Sequence, residues 1–263
     1  MHLVRESSRC ASRARNWSLL SAPLIPDSLQ TAEVLFASEA TATNDMIDRR
    51  IGAYGGTFDP VHIGHLEVAR AVTREFELDA LLLIPAHRPP HKDASSISNS
   101  YHRYAMAVLA TLDEPRVSVS TIELKAPNKP YSFETVERLK RACGPRTELF
   151  FVVGADSFEE INTWREPERL LASSNLIAVT RPGYEVRVSH LPDSMRASIV
   201  DVRGRVSLSG EQPSGSRIFL TDCSNNDVSS TEIRRRVRAG ESIDGLAPSS
   251  VVNYIEKYEL YRR

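Results

Sequence analysis

The chain has 263 residues, 41% of them hydrophobic and 25% charged, with a formal net charge of -1. That length and apolar content suffice for one sizeable core, and the near-zero charge balance argues against a nucleic-acid coat or polyanion binder. No apolar run approaches the ~20 residues that a membrane helix needs. Cys10, Cys143 and Cys223 are odd in number and widely spaced, which suits a reducing compartment and neither a disulfide framework nor a cysteine-based metal site.

In chain order, residues 1–45 differ in kind from the rest of the chain. Arg5, Arg9, Arg13 and Arg15 stand among serines, and Pro23 and Pro26 break the short apolar run after Trp17. A secretory signal needs a longer uninterrupted apolar core. The segment reads as a disordered leader or an over-long reading frame, since Met46 stands just ahead of the first strand. Its Arg- and Ser-rich, acid-poor make-up also suits an organellar transit peptide. Residues 46–263 are expected to form a single domain.

Beyond that point apolar runs alternate with amphipathic stretches. Residues 50–54, 81–84, 149–153, 176–179 and 218–220 read as buried strands, and helical patterns fall at roughly 66–76, 101–112, 133–142 and 167–171. This alternation predicts an α/β fold whose mostly parallel sheet carries helices on both faces. Ligands bind such a sheet at the carboxyl ends of its strands. Three polar motifs fall there: the Gly55 turn, Gly154-Ala155-Asp156, and Thr180-Arg181-Pro182-Gly183. Residues 184–216 read as a weakly ordered or peripheral connection. The chain closes on a helix opened by Pro248, whose stripe of Val251, Val252, Ile255 and Leu260 reads as plain core.

Gly55-Gly56-Thr57-Phe58-Asp59-Pro60-Val61-His62-Ile63-Gly64-His65 is the most informative string. Adjacent glycines let a backbone turn sharply and leave N–H groups open to an anion. The helix starting near Gly64 adds further N–H groups and the positive end of its dipole. His62 and His65, three apart, can both face one bound phosphate. As metal ligands they are poorly spaced, and no Cys or Glu is placed as a third ligand, so no metal site is expected. No Gly-Lys-Ser/Thr follows, and the glycines do not spell Gly-x-Gly-x-x-Gly, so neither a Walker loop nor a hydride-transfer site is supported.

Val228-Ser229-Ser230-Thr231-Glu232-Ile233-Arg234 is the second loaded segment. Glu232 lies three residues after Ser229, as a capping box requires, so simple capping is one reading. The other is a polyphosphate grip: three hydroxyls, free N–H groups and Arg234 one turn on. One nucleoside triphosphate has enough phosphates to bridge both helix starts.

Together these two strings resemble the nucleotidyltransferase superfamily with the H-x-G-H signature. Pro89-Pro90-His91-Lys92, Gly154-Ala155-Asp156-Ser157, Thr163-Trp164 and Arg181-Pro182-Gly183 narrow the resemblance to bacterial nicotinate-nucleotide adenylyltransferases. It runs from about Arg50 to Arg263. It implies a Rossmann-like, doubly wound fold and a reaction of ATP with nicotinate mononucleotide giving deamido-NAD and pyrophosphate, in a cytoplasmic enzyme of NAD biosynthesis. In-line attack with no covalent intermediate agrees with the physical demands of phosphoryl-type transfer, which are positioning and charge neutralisation.

The same resemblance implies roles. His62, His65 and Arg234 would be catalytic, with backbone groups of Gly55, Gly56, Thr57 and Phe58 around the phosphates. Ser229, Ser230 and Thr231 would grip the β- and γ-phosphates, and Mg²⁺ would be carried by ATP. Gly154 and Asp156 would face the ribose or adenine, although Asp156 also suits a helix cap. Lys92, Tyr131, Ser132, Thr163, Trp164 and Arg181 would meet the acceptor, Trp164 by stacking and free N–H groups near Thr163-Trp164 by taking a carboxylate.

One departure is Pro130-Tyr131-Ser132-Phe133-Glu134-Thr135, where the family often has Ser-Tyr-Thr followed by aspartate and threonine. Ser132 can replace a threonine hydroxyl there, and Glu134 the carboxylate with a longer reach. Other readings are nicotinamide mononucleotide or a different phosphate acceptor, and a non-catalytic nucleotide sensor. No nucleic-acid or membrane partner is expected, and a homo-oligomer stays open.

Overall fold

The computed structural model describes residues 49–87, 97–126, 130–180, 184–189, 191–204, 216–224 and 226–262. The chain opens with β1 (Arg49–Gly56), α1 (Ile63–Glu75) and β2 (Ala80–Pro85), followed by α2 (Ser100–Ala110) and β3 (Val117–Val119). A second half follows: α3 (Ser132–Cys143), β4 (Thr147–Gly154), α4 (Ala155–Glu159), a 3-10 turn (Ile161–Thr163), α5 (Pro167–Ser173) and β5 (Asn175–Val179). Then come α6 (Asp193–Ala197), β6 (Ile199–Asp201), β7 (Ile218–Thr221), α7 (Ser230–Ala239) and α8 (Ser249–Lys257).

The strands form one sheet in the order β3-β2-β1-β4-β5-β7-β6. Every described pairing is parallel, not merely most of them. Side chains alternate across it, as the pleat requires. Phe150 and Val152 of β4 join Leu66, Val72, Met106, Ile233 and Val251 on the face covered by α1, α2, α7 and α8. Leu149, Phe151 and Val153 join Phe133, Val136, Leu139, Phe158 and Leu170 on the face covered by α3, α4 and α5. Burial on both faces is why these strands read as unbroken apolar runs.

Two short strands depart from the sequence expectation. β3 and β6 are edge strands, each partly exposed. Within residues 184–216, expected to be a loose connection, Met195 and Val202 are buried and α6 and β6 form. The chain leaves β1 toward β2 and β3, then returns through α3 to place β4 on β1's other side. The crevice at the carboxyl ends of β1 and β4 is therefore the switch point where such sheets bind ligands.

Candidate active site

Gly55 and Gly56 are not in the turn; they are the last two residues of β1, paired in register with Ile84 and Pro85 of β2. Neither has a positive φ. What demands glycine is space: a Cβ on Gly56 would lie 2.7 Å from the Phe58 ring, and one on Gly55 3.2 Å from the Phe151 ring. The strained residue is Phe58 itself, with φ 50°. Its buried ring packs edge-on against Tyr54 and His65, at 5.5 and 4.9 Å between centroids. Among the described residues no acceptor takes the N–H groups of Thr57 or Phe58, so they remain available to an anion.

His62 is the N-cap residue of α1, and its ring lies 3.7 Å from that of His65, tilted by 31°. Gly64 makes this possible, because a Cβ there would come within 3.1 Å of His62 Nδ1. The His62 N–H donates to His65 Nδ1 at 3.2 Å, which leaves the proton of a neutral His65 ring on Nε2. His62 is buried, and desolvation lowers its pKa to about 4, so it is neutral at pH 7. Its Nδ1 is buried with no partner.

The second helix start is fastened to this turn. Arg234 of α7 donates from Nη1 to the Asp59 carbonyl at 2.7 Å, and Ser230 Oγ donates to the Pro60 carbonyl at 2.9 Å. Ser229 is the N-cap of α7 and accepts from Glu232 N–H. Glu232 does not complete a capping box; its carboxylate is held by Arg235 and Arg236. The Ser230 hydroxyl thus gives its proton to the fold, whereas Ser229 Oγ only accepts and keeps its own O–H as a donor. The exposed Thr231 lies at the same helix start and accepts from Arg234 Nη2 at 3.3 Å.

A cavity of about 370 Å³ opens beside this at the ends of β1, β4 and β5, lined by Tyr54, Gly154, Asp156, Thr180, Ser224 and Asn226. Gly154 caps α4, and Asp156 sits exposed in its first turn with no capping bond from the Gly154 position. The geometry gives Asp156 to the cavity wall. Thr180 Oγ1 is buried there without a partner.

The residues expected to meet the acceptor are arranged differently. Trp164 packs edge-on to Phe151, 6.3 Å between centroids, and the same Phe151 ring lies against Gly55. The expectation of free N–H groups at Thr163-Trp164 is overturned: Thr163 N–H donates to the Glu160 carbonyl at 2.8 Å and Trp164 N–H to Ile161 at 3.0 Å. A 3-10 turn closes on itself this way. Glu134 is likewise occupied, accepting Tyr131 N–H at 2.8 Å as a cap of α3. Tyr131 is 50% exposed and stacks parallel to Phe133, and Ser132 opens α3 beside it. Lys92 and Arg181 lie outside the described residues.

Sequence reasoning assigns no role to three residues that hold the turn. Arg103 is 1% exposed; it donates to the carbonyls of Thr57 (2.7 Å), Ala86 (2.6 Å) and Ser98 (3.1 Å). Asp59 is 2% exposed and accepts from Ser98 N–H at 3.2 Å and Tyr261 O–H at 2.7 Å. Arg103 does carry a signal, since it shares the buried stripe of Met106, Ala107 and Ala110 on α2. A charge on such a stripe marks a group with a specific partner. Tyr261 carries none.

Two anion-ready helix starts joined at the switch point of a parallel sheet define a nucleotidyltransferase, and the model described as cytidylyltransferase-like matches residues 53–236. A Thermoanaerobacter protein named probable nicotinate-nucleotide adenylyltransferase is 40% identical over 81% of this chain and 95% of its own length. A Thermus thermophilus protein of the same name is 38% identical over 81% of this chain and all of its own length. The chain belongs to the nicotinate-nucleotide adenylyltransferase family. In fold it is similar to a Plasmodium falciparum nicotinic acid mononucleotide adenylyltransferase complexed with NaAD, with TM-score 0.59 at 18% identity over 81% of this chain and 97% of that one.

Proposed function

We propose that this chain transfers the adenylyl group of ATP to nicotinate mononucleotide, releasing pyrophosphate and deamido-NAD for NAD biosynthesis. The observation that carries the reading is the fastening of α7 to the histidine turn through Arg234–Asp59 and Ser230–Pro60. It brings two helix starts and one guanidinium together, which supports a triphosphate bridging them.

An oxygen of the mononucleotide phosphate attacks the α-phosphorus in line. The bond from that phosphorus to the α,β-bridging oxygen breaks as the new one forms, and its electrons leave with pyrophosphate. His65 donates from Nε2 to the crowded phosphoryl oxygens, and the Thr57 and Phe58 N–H groups add to the same stabilisation. His62 enters neutral and becomes a better donor as the polyanion raises its pKa. Arg234 and the start of α7 hold the departing phosphates. Asp156 and the cavity beside it take the adenosine. Among the described residues no cluster of three or more carboxylate, His or Cys groups could hold a metal ion. Mg²⁺ would be carried by ATP and would supply charge neutralisation at the phosphates.

On the acceptor side, Trp164, packed edge-on against Phe151, would stack on the nicotinate ring, and Tyr131 and Ser132 at the start of α3 would add polar contacts. Pyrophosphate release with ATP and Mg²⁺, compared between nicotinate and nicotinamide mononucleotides, tests the reading. Preference for the acid of at least about tenfold, 1.4 kcal/mol in transition-state binding, is expected. Release with neither would overturn it.

A further inference from the structure

Asp59 is joined to three separate parts of the chain. Its backbone carbonyl receives Arg234 of α7, one carboxylate oxygen receives the Ser98 N–H ahead of α2, and the other receives the hydroxyl of Tyr261. The last bond spans 202 residues of sequence. A buried carboxylate needs its lone pairs satisfied or it moves toward water. Arg103 supplies countercharge to Asp59 but directs its N–H groups at carbonyls, so hydrogen bonding of the carboxylate rests on Ser98 and Tyr261.

We propose that Tyr261, near the end of the chain, is a positioning residue for adenylyl transfer: by holding Asp59 in place it sets the carbonyl that orients Arg234 and the turn that leads into His62. The inference rests on the proposed function for its kinetic form. Tyr261 suits the task because its ring reaches the buried turn while α8, just before it, is anchored through Val251 and Ile255. Burial, with the Asp59 charge next to it, pushes the phenol far above its ordinary pKa, so it is a donor at any working pH. The path from Tyr261 to Arg234 is then two hydrogen bonds of 2.7 Å, hydroxyl to carboxylate and guanidinium to carbonyl, joined through the covalent frame of Asp59.

The test is a double-mutant cycle between Tyr261→Phe and Arg234→Ala. Tyr261→Phe removes one oxygen; it is expected to lower kcat/KM for ATP about tenfold, leave KM for nicotinate mononucleotide within about twofold and shift Tm by only a few degrees. In the Arg234→Ala background the same change should cost less than about twofold, because the guanidinium it orients is gone. An equal loss in both backgrounds, or no loss in the otherwise wild-type protein, overturns the proposal. Asp59→Asn probes the link from the other side and should show the same coupling to Arg234→Ala. Arg262→Ala, which breaks only an exposed pair with Glu259, is the control and should turn over normally. If the wild-type protein releases no pyrophosphate, the proposed function falls, yet calorimetric binding of α,β-methylene-ATP to the same four proteins still decides whether Tyr261 acts through Arg234.

Discussion

The two halves of the site are built in opposite ways. On the proposed phosphate side, the turn after β1 is buried and tied to α7, α2 and the end of the chain, and among the described residues no acceptor takes the N–H groups of Thr57 and Phe58. Among the residues proposed to meet the acceptor, Tyr131 is exposed and the polar groups at Thr163, Trp164 and Glu134 already bond to their own neighbours. The contrast separates a preorganised half from one whose local bonds a substrate must exchange. Preorganisation belongs where charge develops in the transition state, because donors fixed in advance need no rearrangement at the moment of reaction. The acceptor half can use binding energy to rearrange.

If that division is right, the phosphate half should show large rate effects with little change in stability. His65→Ala removes a partly exposed ring and should lower kcat about 100- to 1,000-fold while Tm stays near wild type; steady-state kinetics and a melting curve check both. His62 is buried, and its protonation state bears on stability. Its folded pKa of about 4 lies below the ordinary 6.5, so the unfolded chain binds that proton more tightly. The stability gained by keeping the ring neutral is full above pH 6.5 and is lost as pH falls toward 4, by about 3 kcal/mol. Denaturant midpoints across that window should slope in the wild-type protein and flatten in His62→Gln.

Gly64→Ala sharpens the comparison with less chemistry removed. The new Cβ would sit 3.1 Å from His62 Nδ1 and 3.4 Å from Asn226 Oδ1, so the ring must give by a few tenths of an ångström against His65. A displacement of this kind should reduce kcat about 10- to 100-fold with both KM values nearly unchanged. The acceptor half should answer otherwise. Trp164→Ala should raise KM for nicotinate mononucleotide about tenfold and leave KM for ATP alone. A fall in kcat with unchanged KM would move Trp164 to the preorganised half.

The same division explains what can be read from sequence. The buried strands, both histidines, the Ser229 cap and Arg234 are legible because each sits in a local pattern: an apolar run, a helix start, a one-turn spacing. β3 and β6 are not, since partly exposed edge strands this short carry neither an apolar run nor a clean alternation. Gly55 and Gly56 read as turn residues because sequence shows a glycine but not the ring it makes room for. Asp59, Arg103 and Tyr261 each have a partner at least 39 residues away, and no local pattern announces such a bond. At Thr163-Trp164 the mismatch runs the other way: the N–H groups read as open, and a 3-10 turn closes them.

Glu134 gives the smallest effect and the finest test of the division. Its carboxylate caps α3 by accepting Tyr131 N–H, in an exposed position with no tie to the phosphate turn. Glu134→Ala should therefore cost about 0.5–1 kcal/mol of stability, the value of one helix cap, read as a shift in the denaturant midpoint. If the carboxylate only caps, kcat and KM for ATP stay unchanged, and KM for the mononucleotide rises only as far as fraying of the first turn loosens Tyr131 and Ser132. Glu134→Gln separates the two roles, because an amide oxygen still accepts from the Tyr131 N–H but carries no charge. Stability restored with KM restored would make Glu134 a cap alone. Stability restored with KM still raised would give its charge a direct part in orienting the acceptor, and that side of the site would then be more prepared than its exposed, self-bonded geometry suggests.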